Sequence, residues 1–569
     1  MSGYGGDLSS VDEKTEELAA DSGRGRDAQR GGRERHAPLV AGVAIALPTL
    51  LAHYPPMSDL PLHEGIVGLL RHWGDAAYLP PDLYTLNLGH ANQLFHLVAW
   101  ALSFLVGTVW AVKLVVAAAQ LLIFVLGARF ADHLGRSRWG VLLLAPLALG
   151  FTYYWGLVAN LVGFAALLGV LPTIDHAAVD PTWRKAAAVC GLLVLVFFAH
   201  EAVFVAAVGV VVILAVAHPF ERRKTFLRIL PVLAAVAFMV AQWIYQARLF
   251  TRGQVTPPAV FDATTEKLSA LPSFLFGSHE PPVLAVLFGS ALAAVLLLVV
   301  ARVREQRSEP RAGAAGLRGW LLRYRFELTA AGFLFFYLVM PLNWRGATLV
   351  YQRFLGPAWA LLAIGAAPRV APRAAKLLAS VLPVAVLLLA WPSFVESDEA
   401  ARALDAIMDA IPLKSSVALV AIDKKRDRPR MFSTSVGPAR TVARRGGRVS
   451  LGLAISPISP VQIRAQYRWD EMDARTLMYG SRALKPANDL DRFGWVIAES
   501  HDPHLRTVLT RVLQPEAELV MERGEWLLFR STKPQAPLTS PDVPAREDES
   551  TVVDRVIQYE QRPRSSPPP

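Results

Sequence analysis

The chain has 569 residues, of which 53% are hydrophobic and only 18% are charged, and its mean hydropathy is +0.34. It is longer than one ordinary soluble domain, and its composition is typical of proteins whose solvent is lipid. The net charge of +11 does not indicate a nucleic-acid partner, because the arginines cluster between apolar runs, as they do in the cytoplasmic loops of membrane proteins.

The N-terminal 37 residues are rich in Gly, Ser, Asp, Glu and Arg and show no apolar periodicity, which predicts a disordered tail. Arginines from Arg24 to Arg35 lie just before the first apolar run and predict a cytoplasmic N-terminus. That run, residues 37–53, is not followed by a small-residue cleavage site, so we interpret it as an uncleaved anchor. Cys190 is the one cysteine, which excludes a disulfide within the chain.

Long uncharged runs recur as far as Pro392. Residues 229–247 and 283–301 are each free of charge, and each approaches the roughly 20 residues that a helix needs to cross the hydrocarbon core. Residues 92–217 offer six short candidate helices, and we expect one of them to be re-entrant or interfacial. The pattern predicts an all-α polytopic membrane domain over residues 38–392, with 11–13 transmembrane helices.

The distribution of charge predicts which loops face which side. Residues 54–91 carry four acidic residues against Arg71 alone, which predicts an outer loop. Residues 302–325 hold seven arginines against two glutamates and, like residues 221–228, are expected inside. The last span then ends near Pro392 on the outer face, and the following domain is periplasmic.

The region after the last span has a different pattern. Short β-type runs at 417–422 and 495–498, and a hairpin signal joining 517–521 to 526–529, predict a small α/β domain over residues 393–531. Residues 399–411 have the spacing of an amphipathic helix. Residues 532–569 are rich in Pro, Ser and charge, which predicts a second disordered tail.

The outer loop contains the most informative residues, Asp59, His63 and Glu64, just past the first span. If a helix begins at Pro61, His63 lies within one turn of Asp59. The Asp59 carboxylate can act as a general base or hold a divalent cation such as Mg²⁺ or Mn²⁺, with His63 as a second ligand or proton carrier. The alternative is structural: Asp59 caps the helix, while His63 and Glu64 lie on a wet face.

Other polar residues are expected at the same face. His200 and Glu201 interrupt the apolar residues 186–217, and we expect them at an outer turn between two short helices. Arg345 and Arg353 belong to the next outer loop, where the guanidinium group of an arginine can bind a phosphate. The alternatives are an exposed hairpin tip for His200 and Glu201 and a snorkelling side chain for Arg353.

In this arrangement, one span is followed by an acidic outer loop, many short helices and an outer soluble domain. It resembles the GT-C superfamily of bacterial membrane glycosyltransferases, which use polyprenyl-phosphate-linked sugars. Residues 59–63 resemble the acid-containing first-loop motif of several members, and His200-Glu201 and Gln352-Arg353-Phe354 resemble polar interruptions at similar places. The resemblance implies that Asp59 is the catalytic base or a metal ligand.

The hypothesis that follows is an enzyme of the bacterial inner membrane. It transfers a hexosyl or pentosyl group from a polyprenyl-phosphate donor to an acceptor at the outer face. Asp59 and His63 are the candidate catalytic and metal-binding residues, and Arg353, Arg345, His200 and Glu201 are expected to bind the phosphate or sugar. The alternatives are a transporter or flippase, and an inactive GT-C-like component of an assembly.

The predicted topology can be tested with reporter fusions after residue 310 and after residue 450. The arginine-rich segment 302–325 should report the cytoplasm, and the fusion in the soluble domain should report the opposite side. Two cytoplasmic signals would contradict this topology.

Overall fold

The protein is represented by a computed structural model that describes residues 32–250, 259–308, 316–343, 349–422, 434, 436–450, 452–456, 458–468, 484–539 and 550–561. The helices as far as residue 409 are α1 Gly32–Leu51, α2 Leu60–Arg71, α3 Leu94–Val106, α4 Thr108–His133, α5 Trp139–Leu142, α6 Ala145–Ala148, α7 Phe151–Trp155, α8 Val158–Val179, α9 Trp183–Ala199, α10 Glu201–Ala217, α11 Arg222–Phe250, α12 Thr264–Phe276, α13 Pro281–Ser308, α14 Leu317–Val339, α15 Gln352–Gly365 and α16 Arg373–Asp409.

Several of these helices are long and apolar. Among the described residues, five have the length and composition needed to cross a membrane: α4, α8, residues Arg222–Tyr245 of α11, α13 and α16. Shorter apolar helices include α3 and α10. The prediction of a mostly helical protein with several apolar helices is confirmed, and the break predicted at His200 separates α9 from α10.

The first helix begins earlier than its apolar run. Residues 32–37, which we expected in the disordered tail, belong to α1. The first turn is polar but it is held by the chain after α4: the Ser137 hydroxyl donates to Glu34 Oε1 at 2.6 Å, and the Arg138 N–H donates to the same oxygen at 3.0 Å. These contacts extend the helix to Gly32, and residues 1–31 lie outside the described residues.

Between α4 and α8 the chain makes three short helices, α5 to α7, instead of one span. Backbone groups freed by such breaks need partners when water is absent. Trp359 Nε1 donates to the carbonyl of Leu143 at 2.7 Å, and Gln120 Nε2 donates to that of Ala148 at 2.9 Å. Side chains of neighbouring helices thus donate hydrogen bonds to backbone carbonyls of the broken segment, which is buried within the bundle.

The helix that contains the last predicted span continues beyond Pro392, where we expected that span to end. A single helix, α16, runs from Arg373 to Asp409 and contains both Pro383 and Pro392, so the expected amphipathic helix at 399–411 is its C-terminal part. Each proline costs an interior helix about 3 kcal/mol. Packing on both sides compensates, because Leu382 and Val386 are buried before Pro392, and Leu404 and Ile407 after it.

The C-terminal domain is built on a sheet with the order β3-β2-β5-β7-β6. Strands β2 and β5 are parallel, and β5, β7 and β6 are antiparallel, which confirms the predicted strands, the hairpin and the small α/β domain. The strands are β1 Tyr84–Leu86, β2 Ser416–Ala421, β3 Arg448–Val449, β4 Val461–Ile463, β5 Trp495–Glu499, β6 Ala517–Arg523 and β7 Trp526–Ser531, and the helices are α17 Thr441–Arg445, α18 Pro486–Asp489, α19 Pro503–Leu513 and α20 Val552–Gln561.

The expected disorder of residues 532–569 is also wrong in part. Helix α20 packs against the sheet domain, with Val552 and Val556 buried in the same core as Leu509 and Phe529. The sequence of α20 has amphipathic spacing, but the proline-rich and charged composition of residues 532–569 as a whole indicated disorder instead. Residues 540–549 and 562–569 lie outside the described residues.

The sheet domain and residues 54–91, the predicted outer loop, form one structure. Strand β1 of the loop pairs antiparallel with β4, and α2 packs so closely on α17 that a Cβ at Gly68 would collide with Ala443. A buried ion pair joins them, with Arg440 Nε 3.2 Å from Glu64 Oε2. Glu64 is fully buried. The alternative that placed Glu64 on a wet face is therefore wrong.

The Glu64→Gln substitution tests whether this ion pair holds the domain on the outer loop. It keeps the shape of the side chain but leaves Arg440 buried beside one fewer carboxylate, and breaking a buried pair costs about 3–5 kcal/mol. We expect the melting temperature of the detergent-solubilised protein to fall by several degrees. Arg402→Ala, which removes an exposed partner of Asp398, should change it little. Equal effects of the two substitutions would contradict the role given to the pair.

Candidate functional site

Asp59 lies where the chain enters α2, and the end of α7 fixes its backbone. The Ser58 N–H donates to the carbonyl of Tyr154 at 2.8 Å, and the Asp59 N–H donates to that of Trp155 at 3.0 Å. Gly156 follows with a φ of +86°, and a Cβ there would lie 2.5 Å from the Asp59 nitrogen. Glycine is required on both grounds, because other residues rarely adopt this conformation and would not fit.

The carboxyl group of Asp59 is not used as a helix cap. Asp59 occupies the N-cap position of α2, but its side chain accepts no hydrogen bond from the first turn. The purely capping interpretation of this residue is therefore wrong. Partial burial among protein atoms raises the pKa of Asp59 to about 7, and the charge of Arg353 opposes part of this shift.

His63 lies one turn into α2 and is held from two sides. Its Nδ1 hydrogen-bonds Nε2 of His96 at 2.9 Å, and it also has a hydrogen bond with the backbone of Gly156. Burial lowers the pKa of His63 to about 4, so the ring is neutral at pH 7. These contacts tie the first turn of α2 both to α3 and to the turn that fixes Asp59.

His200 lies in the break between α9 and α10 with an extended backbone. It is fully buried, and within the described part of the chain neither of its ring nitrogens has a hydrogen-bond partner. Helix α8 approaches it closely, because a Cβ at Gly163 would lie 2.7 Å from that of His200. The exposed-tip interpretation of His200 is therefore wrong, although Glu201 beside it is exposed.

Arg353 lies in the first turn of α15, close to the break at His200. Its Nη1 is 3.9 Å from Glu201 Oε1, and its charge acts on both Asp59 and His200. The structure thus brings together Asp59, His200, Glu201 and Arg353, although they are far apart in the sequence. Arg345 lies outside the described residues, so its expected role stays a prediction.

Gln352 is a buried polar residue whose importance the sequence did not reveal. Neither its amide oxygen nor its amide nitrogen has a hydrogen-bond partner among the described residues. Residues four apart share a helix face, and a Cβ at Gly356, one turn later, would collide with the ring of Phe164 in α8. Gln352 therefore lies on the α8 side of α15. Because Gln352 is uncharged and lies in a short apolar helix, nothing in the sequence except its position beside Arg353 indicated a functional role.

The residues at this site do not fit a divalent cation well. Asp59 offers one carboxylate, but His63 already bonds His96 and Gly156, and a cationic guanidinium acts on Asp59. Mg²⁺ and Mn²⁺ are held by several oxygen ligands. A group with metal-ligand spacing does occur in the sheet domain, formed by Glu499, His501 and Glu525, and it includes neither Asp59 nor His63. The arrangement favours Asp59 as a base.

Comparisons with known proteins give one likeness in structure. No protein-family model matches the chain, and no curated protein matches it in sequence. The chain is similar in fold to the crystal structure of ArnT from Cupriavidus metallidurans bound to undecaprenyl phosphate. The TM-score is 0.52 at 12% sequence identity, and the match covers 89% of this chain and all of that one. At this identity the likeness concerns the fold, and it supports the GT-C-like fold expected from the sequence.

The Gly156→Ala substitution tests the packing that places Asp59. A left-handed backbone costs a residue with a Cβ roughly 1–2 kcal/mol, and here the methyl group also meets the Asp59 backbone. We expect a clearly lower melting temperature. Gly191→Ala in α9 is the matched control, because a Cβ there meets nothing within 4 Å and alanine favours a helix. If both variants melt like wild type, the close approach of Gly156 to Asp59 is not present.

Proposed function

We propose that this protein is a membrane glycosyltransferase that moves a sugar from a polyprenyl-phosphate donor to an acceptor at the outer membrane face. The observation that carries the proposal is the Asp59 carboxyl group. It does not cap its helix, its pKa is raised to about 7, and it lies within the field of Arg353. A carboxyl group whose pKa lies near the working pH is suited to accept a proton in the transition state.

In the proposed reaction, the Asp59 carboxylate takes the proton from an acceptor hydroxyl as that oxygen attacks the anomeric carbon of the sugar. The bond between this carbon and the phosphate oxygen breaks, and its electron pair leaves with the polyprenyl phosphate. Negative charge develops on the departing phosphate, where the guanidinium of Arg353 is suited to stabilise it. The proton on Asp59 is then lost to solvent.

The neighbouring residues have supporting roles in this proposal. His63 is bonded to His96 and Gly156, so we assign it to positioning the turn that carries Asp59. His200 and Gln352 offer buried polar groups for hydroxyls of the sugar or oxygens of the phosphate. Glu201 Oε1 lies 3.9 Å from Arg353 Nη1, and we assign it to orienting the guanidinium.

The fold supports a lipid-linked donor. The similar structure holds undecaprenyl phosphate, and a donor of that class would keep its reactive phosphate at the membrane surface while its tail lies between apolar helices. We propose a multi-pass protein of the bacterial inner membrane with 11–13 spans, a cytoplasmic N-terminus and the sheet domain in the periplasm. The arginine-rich segment 302–325 and the sparsely basic outer loop 54–91 support this orientation.

The Asp59→Asn substitution tests the proposed base. Asparagine keeps the size of the side chain but cannot accept the proton, so transfer should fall by about 10²–10⁴-fold. The variant should fold, and above pH 7 it should be at least as stable as wild type, because a raised pKa means that the charged Asp59 destabilises the folded state there. The measurement is the release of polyprenyl phosphate from a panel of labelled hexosyl and pentosyl donors, in membranes of matched protein content.

Asp75→Asn is the control, since it makes the same change at an exposed residue of the same loop. The rate of the wild-type protein should rise with pH through about 7, and the residual rate of Asp59→Asn should lack that rise. Equal activity of Asp59→Asn and wild type would remove Asp59 from the mechanism. A wild-type protein inactive on every donor would favour a transporter or an inactive assembly component.

A further inference from the structure

We propose that a cavity at the opposite end of the helix bundle from Asp59 binds an anionic phospholipid. The cavity has a volume of about 390 Å³ and lies between the end of α10, the start of α11 and the first turn of α14. Helix α10 begins beside Arg353 and ends at this cavity, so the two places are separated by 17 helical residues, or roughly 25 Å. The proposal does not depend on the transferase function.

The wall of the cavity is suited to an acyl chain. Val212, Ala215 and Val216 line it from α10, and Ile229 and Val232 line it from α11. Val216 is 63% exposed and Ile229 is 37% exposed, so the apolar wall is open to the surroundings of the bundle. Helix α11 is long and apolar enough to cross a membrane and α10 is a shorter apolar helix, so these surroundings are lipid if the two helices lie in the membrane.

The polar end of the cavity carries an arginine without a protein partner. Arg318 lines the cavity from the start of α14, and it makes no hydrogen bond or ion pair with any residue in the described ranges. Arg318 is exposed, whereas two less exposed arginines at this end have partners within the protein: half-buried Arg325 pairs with Asp175 at 2.6 Å, and buried Arg228 donates to the carbonyl of Ala178 at 2.7 Å. A guanidinium at the mouth of an apolar groove matches the phosphate of a phospholipid above its acyl chains.

The surrounding charge selects an anionic lipid. Arg222 and Arg223 begin α11, beside the cavity, and both are exposed, while the one acid before them, Glu221, pairs with Lys224 at 3.0 Å. Cations are unfavourable at a helix N-terminus, so a bound anion relieves the repulsion. Exposed Trp320 and Phe220 lie at the same end, as aromatic side chains do at membrane interfaces. The sequence predicts this end to be cytoplasmic, where anionic lipids attract basic segments.

The test uses the full-length protein in nanodiscs of phosphatidylcholine with increasing phosphatidylglycerol, and native mass spectrometry to count retained lipids. We expect wild type to retain one phosphatidylglycerol in preference to phosphatidylcholine. Arg318→Ala should lower the apparent affinity about fivefold, which is the usual contribution of one basic side chain at an anionic membrane. Ala215→Phe should also lower it, because it narrows the cavity without changing the charge.

Arg184→Ala is the matched control, because Arg184 is an exposed arginine at the start of α9 that does not line the cavity. It should retain phosphatidylglycerol like wild type. If Arg184→Ala and Arg318→Ala lost phosphatidylglycerol to the same extent, the effect would come from the general surface charge, and the proposal would be overturned. Equal retention of phosphatidylcholine, or displacement of phosphatidylglycerol by polyprenyl phosphate, would also overturn it.

Discussion

The buried ion pair between Glu64 and Arg440 is the contact that joins the loop of residues 54–91 to the sheet domain. Removing two charges from water costs several kcal/mol per ion, and the loss is recovered only when the geometry is good and further partners are present. Here the aromatic ring of Tyr54 lies 4.0 Å from the guanidinium carbon, and Asp405 of α16 lies 3.1 Å from Arg440 Nη1. One arginine thus joins the outer loop, the long helix α16 and the sheet domain.

This junction has a direct consequence for Asp59, because the helix that it clamps is the one that Asp59 begins. Glu64 lies on the face of α2 toward the sheet domain, and His63 contacts α3 and Gly156 on the other side. With α2 held from both sides, the carboxyl group of Asp59 keeps its partly buried position. Its pKa is raised by that position, so the sheet domain acts on the site through α2 and contributes none of the site residues named above.

The remaining site residues come from places where helices break or begin. His200 lies in a break, Arg353 and Gln352 begin α15, and Gly156 ends α7. Helix ends leave backbone groups without intrahelical partners and so occur inside a bundle only where neighbours compensate. The same breaks let polar side chains enter an otherwise apolar protein. The long apolar helices supply the frame, and the short interrupted helices supply the candidate chemistry.

The sequence by itself determined that the protein is mostly helical with several apolar helices, and it also located the strands of the sheet and the break at His200. It could do so because hydrophobic periodicity and charge are local properties of the chain. It also indicated Asp59, since an acid beside a proline and a histidine is conspicuous in a loop. It did not reveal that Glu64 is buried against Arg440, 376 residues away, or that Gln352 lacks a partner. Nor did it show that α16 passes through Pro392 or that α20 packs on the sheet. Only the tertiary structure decided these features, because each depends on which distant surface covers a residue.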